Sequence, residues 1–266
     1  MTENITTENT HGDSVKVDIS ERIMTIVINR PAQKNALNTS TYAALIQALE
    51  QATGNPELNA IVLTGAGGYF TAGNDLGDFV KTPEGASPGL RFLKCISKVD
   101  IPIIAAVEGG AIGIGVTMLL HCDFVVAGTG TQFRIPFVPL GLCPEGASSL
   151  LLSRYVGIRK ANEWLYRGSP FTAEEAQQAG LINRVVVAGE AENAAQTLAR
   201  ELAGHSRLAL TSTKALLQRA SAEDVAQTLD AERERFAQCL VSPEAKAAFN
   251  RFLTKKDATK KADNDN

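Results

Sequence analysis

The stretch IPIIAAVEGGAIGIGVTMLLHCDFVVA, residues 101–127, decides how this chain folds. Residues 102–107 are an apolar run without alternation, the pattern of a strand covered on both faces. The run enters a glycine-rich turn, EGGAIGIG at 108–115, and then a second apolar run, VTMLLHC. Asp123–Ala127 reads as a further short strand. Strand, turn, apolar segment and strand in this order predict an α/β fold.

The same alternation extends upstream. Val15–Ile19 and Ile23–Ile28 read as two strands joined by a short turn. Asn38 or Thr39 can cap a helix whose apolar face is Tyr42, Leu45, Ile46 and Leu49, and Gly54, Asn55 and Pro56 stop it. Ala60–Leu63 is the next strand, and it runs into TGAGGYFTAGNDL at 64–76. A helical stretch is expected around Gly89–Lys98.

Downstream, Pro136, Pro139 and Pro144 mark a loop leading to a helix predicted over Glu145–Tyr155. Thr172 and Glu175 form a capping-box pattern for a short helix ending at Gly180. Leu181–Val187 reads as a strand. Helices follow over about Glu190–Ala203, Ser206–Arg219 and Ser221–Leu240, and Ser242-Pro243 opens a last one. The expected layout is a loose tail at 1–13, a core at 14–203, a helical module at 204–254 and a tail at 255–266. The module has apolar residues on several faces (Val225, Leu229, Phe236, Leu240, Phe249, Phe252) and is too small for its own core. It must pack on the core or on a neighbouring subunit.

The chain has 266 residues, 44% apolar and 21% charged, which excludes wholesale disorder and fibrous repeats. Its 26 basic and 29 acidic residues give a net charge of −3, and no basic block interrupts the body. Nucleic acid and anionic membrane surfaces are therefore not expected partners. Cys95, Cys122, Cys143 and Cys239 are widely scattered and read as reduced thiols. The first residues are polar rather than a secretory signal, and no apolar run is long enough to span a bilayer. A soluble, cytoplasmic protein is expected.

Several cofactor and nucleophile motifs fail. GGAIGIG lacks the third glycine of a dinucleotide loop, since Met118 stands there. No phosphate-loop or G-x-S-x-G pattern occurs. His11, His121 and His205 lack metal-ligand spacing, and His121, inside an apolar run, reads as structural. No metal or redox cofactor is implied. Two glycine-rich turns remain, each directly after a strand. They are either tight packing turns, or they bring two backbone N–H groups onto one developing oxyanion. Glu145, in PFVPLGLCPEGASSLLL at 136–152, is either an acid favoured near a helix N-terminus or a carboxyl whose apolar setting raises its proton affinity.

Four segments in order, NRPAQKNALN at 29–38, YFTAGNDL at 69–76, the stretch 101–127 and FVPLGLCPEGASS at 137–149, resemble the crotonase superfamily, also called the enoyl-CoA hydratase/isomerase family. The resemblance covers roughly residues 15–255. It implies a spiral of ββα units with a helical C-terminal trimerisation module, hence a homotrimer or a dimer of trimers. It also implies an acyl-CoA thioester substrate, with coenzyme A belonging to the substrate. The oxyanion donors then fall at the backbone N–H groups of Asn74 and Ile114. Lys34, Ala36 and Leu37, together with Ala72, Gly73, Asp75 and Leu76, would line the coenzyme A groove. Gly113, Phe137 and Leu140 would complete the substrate contacts, and Phe249 and Phe252 are candidates to reach a neighbour's coenzyme A.

Hydratases of this family resemble one another in two glutamates, at positions occupied here by Thr117 and Phe137. Neither residue can carry the proton traffic of hydration. The chain offers Glu145 instead, in a P-E-G-x-S-S pattern similar to Δ3,Δ2-enoyl-CoA isomerases of the peroxisomal type. In those enzymes that glutamate is the single base. The resemblance thus implies a 1,3-proton shift as used in fatty-acid β-oxidation, with Glu145 as base. The rival readings are a hydratase using Glu145, another acyl-CoA isomerase such as a ring-opened or epoxide type, and a non-catalytic acyl-CoA-binding protein.

Overall fold

The computed structural model describes residues 13–79 and 87–251. The expected tails, apart from Asp13, together with His11 and Phe252, lie outside the described residues. Nine strands follow in chain order: β1 (Val15–Ser20), β2 (Ile23–Ile28), β3 (Ala60–Gly65), β4 (Ile103–Val107), β5 (Gly110–Ile112), β6 (Phe124–Gly128), β7 (Gln132–Arg134), β8 (Phe171–Thr172) and β9 (Arg184–Val186). The first helices are α1 (Thr39–Gly54), α2 (Leu76–Phe79), α3 (Pro88–Ile96), α4 (Ile114–Thr117) and α5 (Ser148–Val156). They are followed by α6 (Ile158–Arg167), α7 (Ala173–Gln178), α8 (Ala191–Ala203), α9 (Arg207–Gln218) and α10 (Ala222–Leu240). Residues 243–251 are helical.

The main sheet has the order β1-β2-β3-β4-β6-β9, and β5-β7-β8 form a smaller one. β1 and β2 are antiparallel, and Ser20 pairs with Ile23 across a two-residue turn. Glu21 and Arg22 both take positive φ there, as a hairpin turn matched to strand twist requires. The other pairs of the main sheet are parallel. β3 and β4 are buried along almost their full length, which explains their unbroken apolar runs.

Each face of the sheet has its own cover. α1 and α3 lie on one side, within the large core that contains Ile26, Ile61, Ile103 and Phe92. α8 lies on the other, where Ala191, Ala195, Ala199 and Ala203 pack on Ala60, Val62, Ile104, Ala106 and Val126. Alanines at every fourth position give the helix a flat stripe that sits close to the sheet.

The helix caps follow the sequence: Asn38 Oδ1 accepts from the Thr41 N–H, and Thr172 and Glu175 form the reciprocal capping box. Two expectations are corrected. The helix expected from Glu145 begins at Ser148, because Gly146 and Ala147 both take positive φ and break helical geometry before it. The strand expected over Leu181–Val187 is only Arg184–Val186, since just those residues pair in ladder register with β6.

The segment 29–38 ties the fold together where the site forms. Asn35 is fully buried with φ 55, a conformation that asparagine tolerates better than most residues. Its Oδ1 accepts from the Arg30 N–H at 2.8 Å, and its Nδ2 donates to the carbonyls of Ala66 (2.8 Å) and Tyr69 (2.5 Å). The Thr71 hydroxyl donates to the Asn35 carbonyl at 2.7 Å. Asn35→Ala removes three bonds from a buried site and leaves alanine in the left-handed region. Urea denaturation should show a loss of about 2–4 kcal/mol.

Candidate active site

The two glycine-rich turns lie side by side. The Thr71 N–H donates to the Gly110 carbonyl, and the Ile112 N–H donates back to the Thr71 carbonyl, both at 3.1 Å. Gly73 takes φ +82, and a Cβ there would stand 2.5 Å from the Ile112 carbonyl oxygen, so only glycine allows this approach. Gly113 has φ 57 and ψ −118, again outside the range of residues with a Cβ.

Each of these glycines sets the direction of the N–H that follows. The N–H groups of Gly73, Asp75, Gly113 and Val116 all donate within the protein. Those of Asn74 and Ile114 donate to no acceptor among the described residues. Both residues line a cavity of about 850 Å³. The Asn74 side chain is fixed from behind, where the Tyr42 hydroxyl donates to its Oδ1 at 2.6 Å.

The cavity takes Ala72, Gly73, Asn74 and Leu76 from the first turn, and Ile112, Gly113 and Ile114 from the second. Phe137, Leu140 and Leu142 come from the loop before α5, and Phe236, Phe249 and Arg251 from the C-terminal helices. Phe137 and Phe236 meet edge to face at 6.3 Å. Phe249, named as a candidate for a neighbour's site, lines this chain's own cavity.

Lys34, Ala36, Leu37 and Asp75 are not among the lining residues; they brace the first turn. The Lys34 carbonyl accepts from the Ala72 N–H at 2.9 Å, and its ammonium lies 5.6 Å from the Tyr69 ring centre. Leu37 is buried and donates its N–H to the Gly73 carbonyl. Asp75 pairs with Arg30 at 3.1 Å, and Arg30 also donates to the Ala36 carbonyl.

Glu145 is set back from the lining. Its Oε1 is buried without a hydrogen-bond partner. Burial first, and the Glu232 carboxylate second, push its pKa up to about 8. Tyr42 feels both its own burial and Glu145, and its hydroxyl holds its proton well above the usual range. Thr117 is buried beside the turn, where its side chain fills the space that a Gly146 Cβ would take.

Glu145 is held by its neighbours in the chain. The Gly146 carbonyl accepts from His121 Nε2 at 2.9 Å. Glu232 of α10 accepts from the Ala147 N–H (2.6 Å), the Ser149 N–H (2.9 Å) and the Ser149 hydroxyl (2.6 Å). Sequence reasoning placed Tyr42 only on a core face and missed Glu232. A signal existed: Glu232 interrupts the stripe Val225, Leu229, Phe236, an acid at a core position of an amphipathic helix. Among the described residues no group of three His, Cys, Asp or Glu side chains could hold a metal ion, and no helix is long and apolar enough to cross a membrane.

The model of a family described as enoyl-CoA hydratase/isomerase matches residues 18–262. A 2,3-dehydroadipyl-CoA hydratase of Escherichia coli K12 is 33% identical over 246 residues, covering 90% of this chain and 95% of its own. A 1,2-epoxyphenylacetyl-CoA isomerase of the same organism is 32% identical, covering 90% and 94%. The crystal structure of an enoyl-CoA hydratase/isomerase from Pseudoalteromonas atlantica T6c superposes with a TM-score of 0.87 at 40% identity, covering 91% of this chain and 97% of that one.

Burial, chiefly, lowers the His121 pKa from 6.5 to about 4. The unfolded chain therefore binds a proton that the folded one refuses between those values. The stability from neutral His121 is full above about 6.5 and lost as pH falls toward 4. Urea unfolding from pH 7 to 4 should show a fall about 3 kcal/mol smaller in His121→Gln than in the wild type.

Proposed function

The chain belongs to the enoyl-CoA hydratase/isomerase family, and from that premise we propose that it is a Δ3,Δ2-enoyl-CoA isomerase working through a single base. The observation that carries this reading is the Glu145 carboxyl, whose Oε1 is buried and unpartnered, in a chain where two backbone N–H groups border one cavity and donate to no acceptor among the described residues. Among the described residues no Asp or Glu lines the cavity itself. Where the two-glutamate pattern would place its acids, the chain has Thr117 and Phe137, both buried.

The 3-enoyl-CoA thioester carbonyl accepts from the Asn74 and Ile114 N–H groups. The acyl chain runs from there toward Glu145, past Ile114 and Phe137. The Glu145 carboxylate takes a proton from C2, and charge moves onto the thioester oxygen as a dienolate. The same carboxyl then returns the proton at C4, giving the trans-2-enoyl-CoA. A carboxyl with proton affinity near neutrality can both take and return that proton. Loss of water from the site keeps the proton from exchanging.

The names of similar proteins include hydratases as well as an isomerase, so the choice between reactions rests on the acids. Among the described residues Glu232 is the one other carboxyl that bears on Glu145, and three donors already occupy it. That leaves hydration without a second free acid. A homotrimeric, cytoplasmic enzyme belongs to the same proposal; Leu208, Leu216 and Leu217 of α9 stand exposed on the helical module.

Glu145→Gln should abolish isomerisation of 3-enoyl-CoA while acyl-CoA still binds, measured by product absorbance and calorimetry. Near wild-type turnover in that variant, or wild-type hydration of crotonyl-CoA as fast as isomerisation, would rule the reading out. Gly113→Ala has room for its methyl, since the nearest atom is 3.8 Å away on Phe137. It strains the turn that aims the Ile114 N–H. Its kcat/KM should fall about 10²–10³-fold, the usual effect of losing one oxyanion donor.

A further inference from the structure

We infer that Glu232, on α10, is a positioning residue for Glu145: it fixes the turn that carries Glu145 and, as an anion, leaves the proton of the pair on Glu145. This rests on the reading of Glu145 as the base. The turn is a strained one, with Gly146 at φ 74 and Ala147 at φ 57. The peptide joining Gly146 to Ala147 is clamped at both ends, by His121 on its carbonyl and by Glu232 on its N–H. The clamp links the helical module to the acid in the core, 87 residues earlier in the chain (232 minus 145).

All three partners of Glu232 are donors: two backbone N–H groups and one hydroxyl. A carboxylate accepts from all of them, whereas a protonated carboxyl would have to turn the Ser149 hydroxyl from donor to acceptor and give up one of these bonds. Ala147 and Ser149 also bound the first turn of α5, whose positive end favours the anion. No Lys, Arg or His forms an ion pair with Glu232 among the described residues. Its charge therefore reaches Glu145 uncancelled at short range. Glu145 has no donor on Oε1, so the two acids divide: one is held ionised, and the other keeps the proton.

The other groups around Glu145 do not supply this effect. α1 presents Tyr42, whose hydroxyl proton is committed to Asn74. α4 and the turn after it present the Thr117 hydroxyl and neutral His121. α3 presents Leu93 against Gly146, and its Lys94 is tied to Asp230 at the surface. Arg154 of α5 is paired with Asp224, and Lys214 with Asp123. A purely structural cap would change stability and leave the proton affinity of Glu145 alone.

The test is the pH profile of kcat/KM. The wild type should rise with pH to a plateau, with a midpoint near 8. Glu232→Gln should bring that midpoint down by about one unit, because the like charge is gone. A folded variant with an unmoved midpoint would overturn the inference. Should the variant fail to fold, carboxyl-carbon NMR of the substrate-free wild-type enzyme decides. Glu232 ionised at pH 7 with Glu145 titrating near 8 supports the inference, and Glu232 protonated at pH 7 overturns it. Because this measurement needs no turnover, an enzyme that shows this partition yet isomerises nothing would fail the functional reading alone.

Discussion

A backbone N–H with no acceptor is costly to bury, by about 1–3 kcal/mol, and folds normally avoid it. Here two such groups, on Asn74 and Ile114, border one cavity. What prevents them from turning inward is backbone geometry rather than any side chain. The Thr71 bridge to β5 locks the two turns together, and Gly73 and Gly113 rotate the following peptide planes outward. Asn35, the Arg30–Asp75 pair and Tyr42 hold that geometry from three directions. In the proposed reaction a thioester carbonyl would restore the missing acceptors and gain most once it carries charge.

The second constraint is the proposed division of labour between two acids, Glu232 buried and Glu145 with a buried Oε1. Glu145 and Glu232 are close enough for one to raise the other's proton affinity. They differ in what surrounds them: three donors on Glu232, none on Glu145 Oε1. Burial alone would raise both, and hydrogen bonds reverse part of the rise only for Glu232. Since Glu232 sits on α10, the helical module does more than cover the core. It supplies Phe236 and Phe249 to the cavity walls and the clamp to the acid-bearing turn.

Much of this was legible in the chain because it depends on near neighbours. Unbroken apolar runs gave away β3 and β4, since strands covered on both faces have no polar side to alternate. Asn38 and Thr172 announced their helices because a cap bonds only three residues away. The glycine-rich turns and Glu145 were visible as candidate chemistry, with a packing account also open for each. Other features were not legible. The helix expected from Glu145 failed because Ala147 takes positive φ, at a residue whose N–H donates to the distant Glu232, a contact that no local propensity reports.

Composition, periodicity and motif order thus settle the fold class and point to the two glycine-rich turns and to Glu145 as candidates. They do so because each is written in residue types within a few positions of one another. Which N–H groups stay unpaired, that 34, 36, 37 and 75 brace the first turn rather than line the cavity, and which donors hold Glu232 were decided only by the folded molecule. Those answers depend on bonds that span long stretches of chain, from Tyr42 to Asn74 and from Ala147 to Glu232, and distance through space is not encoded in spacing along it.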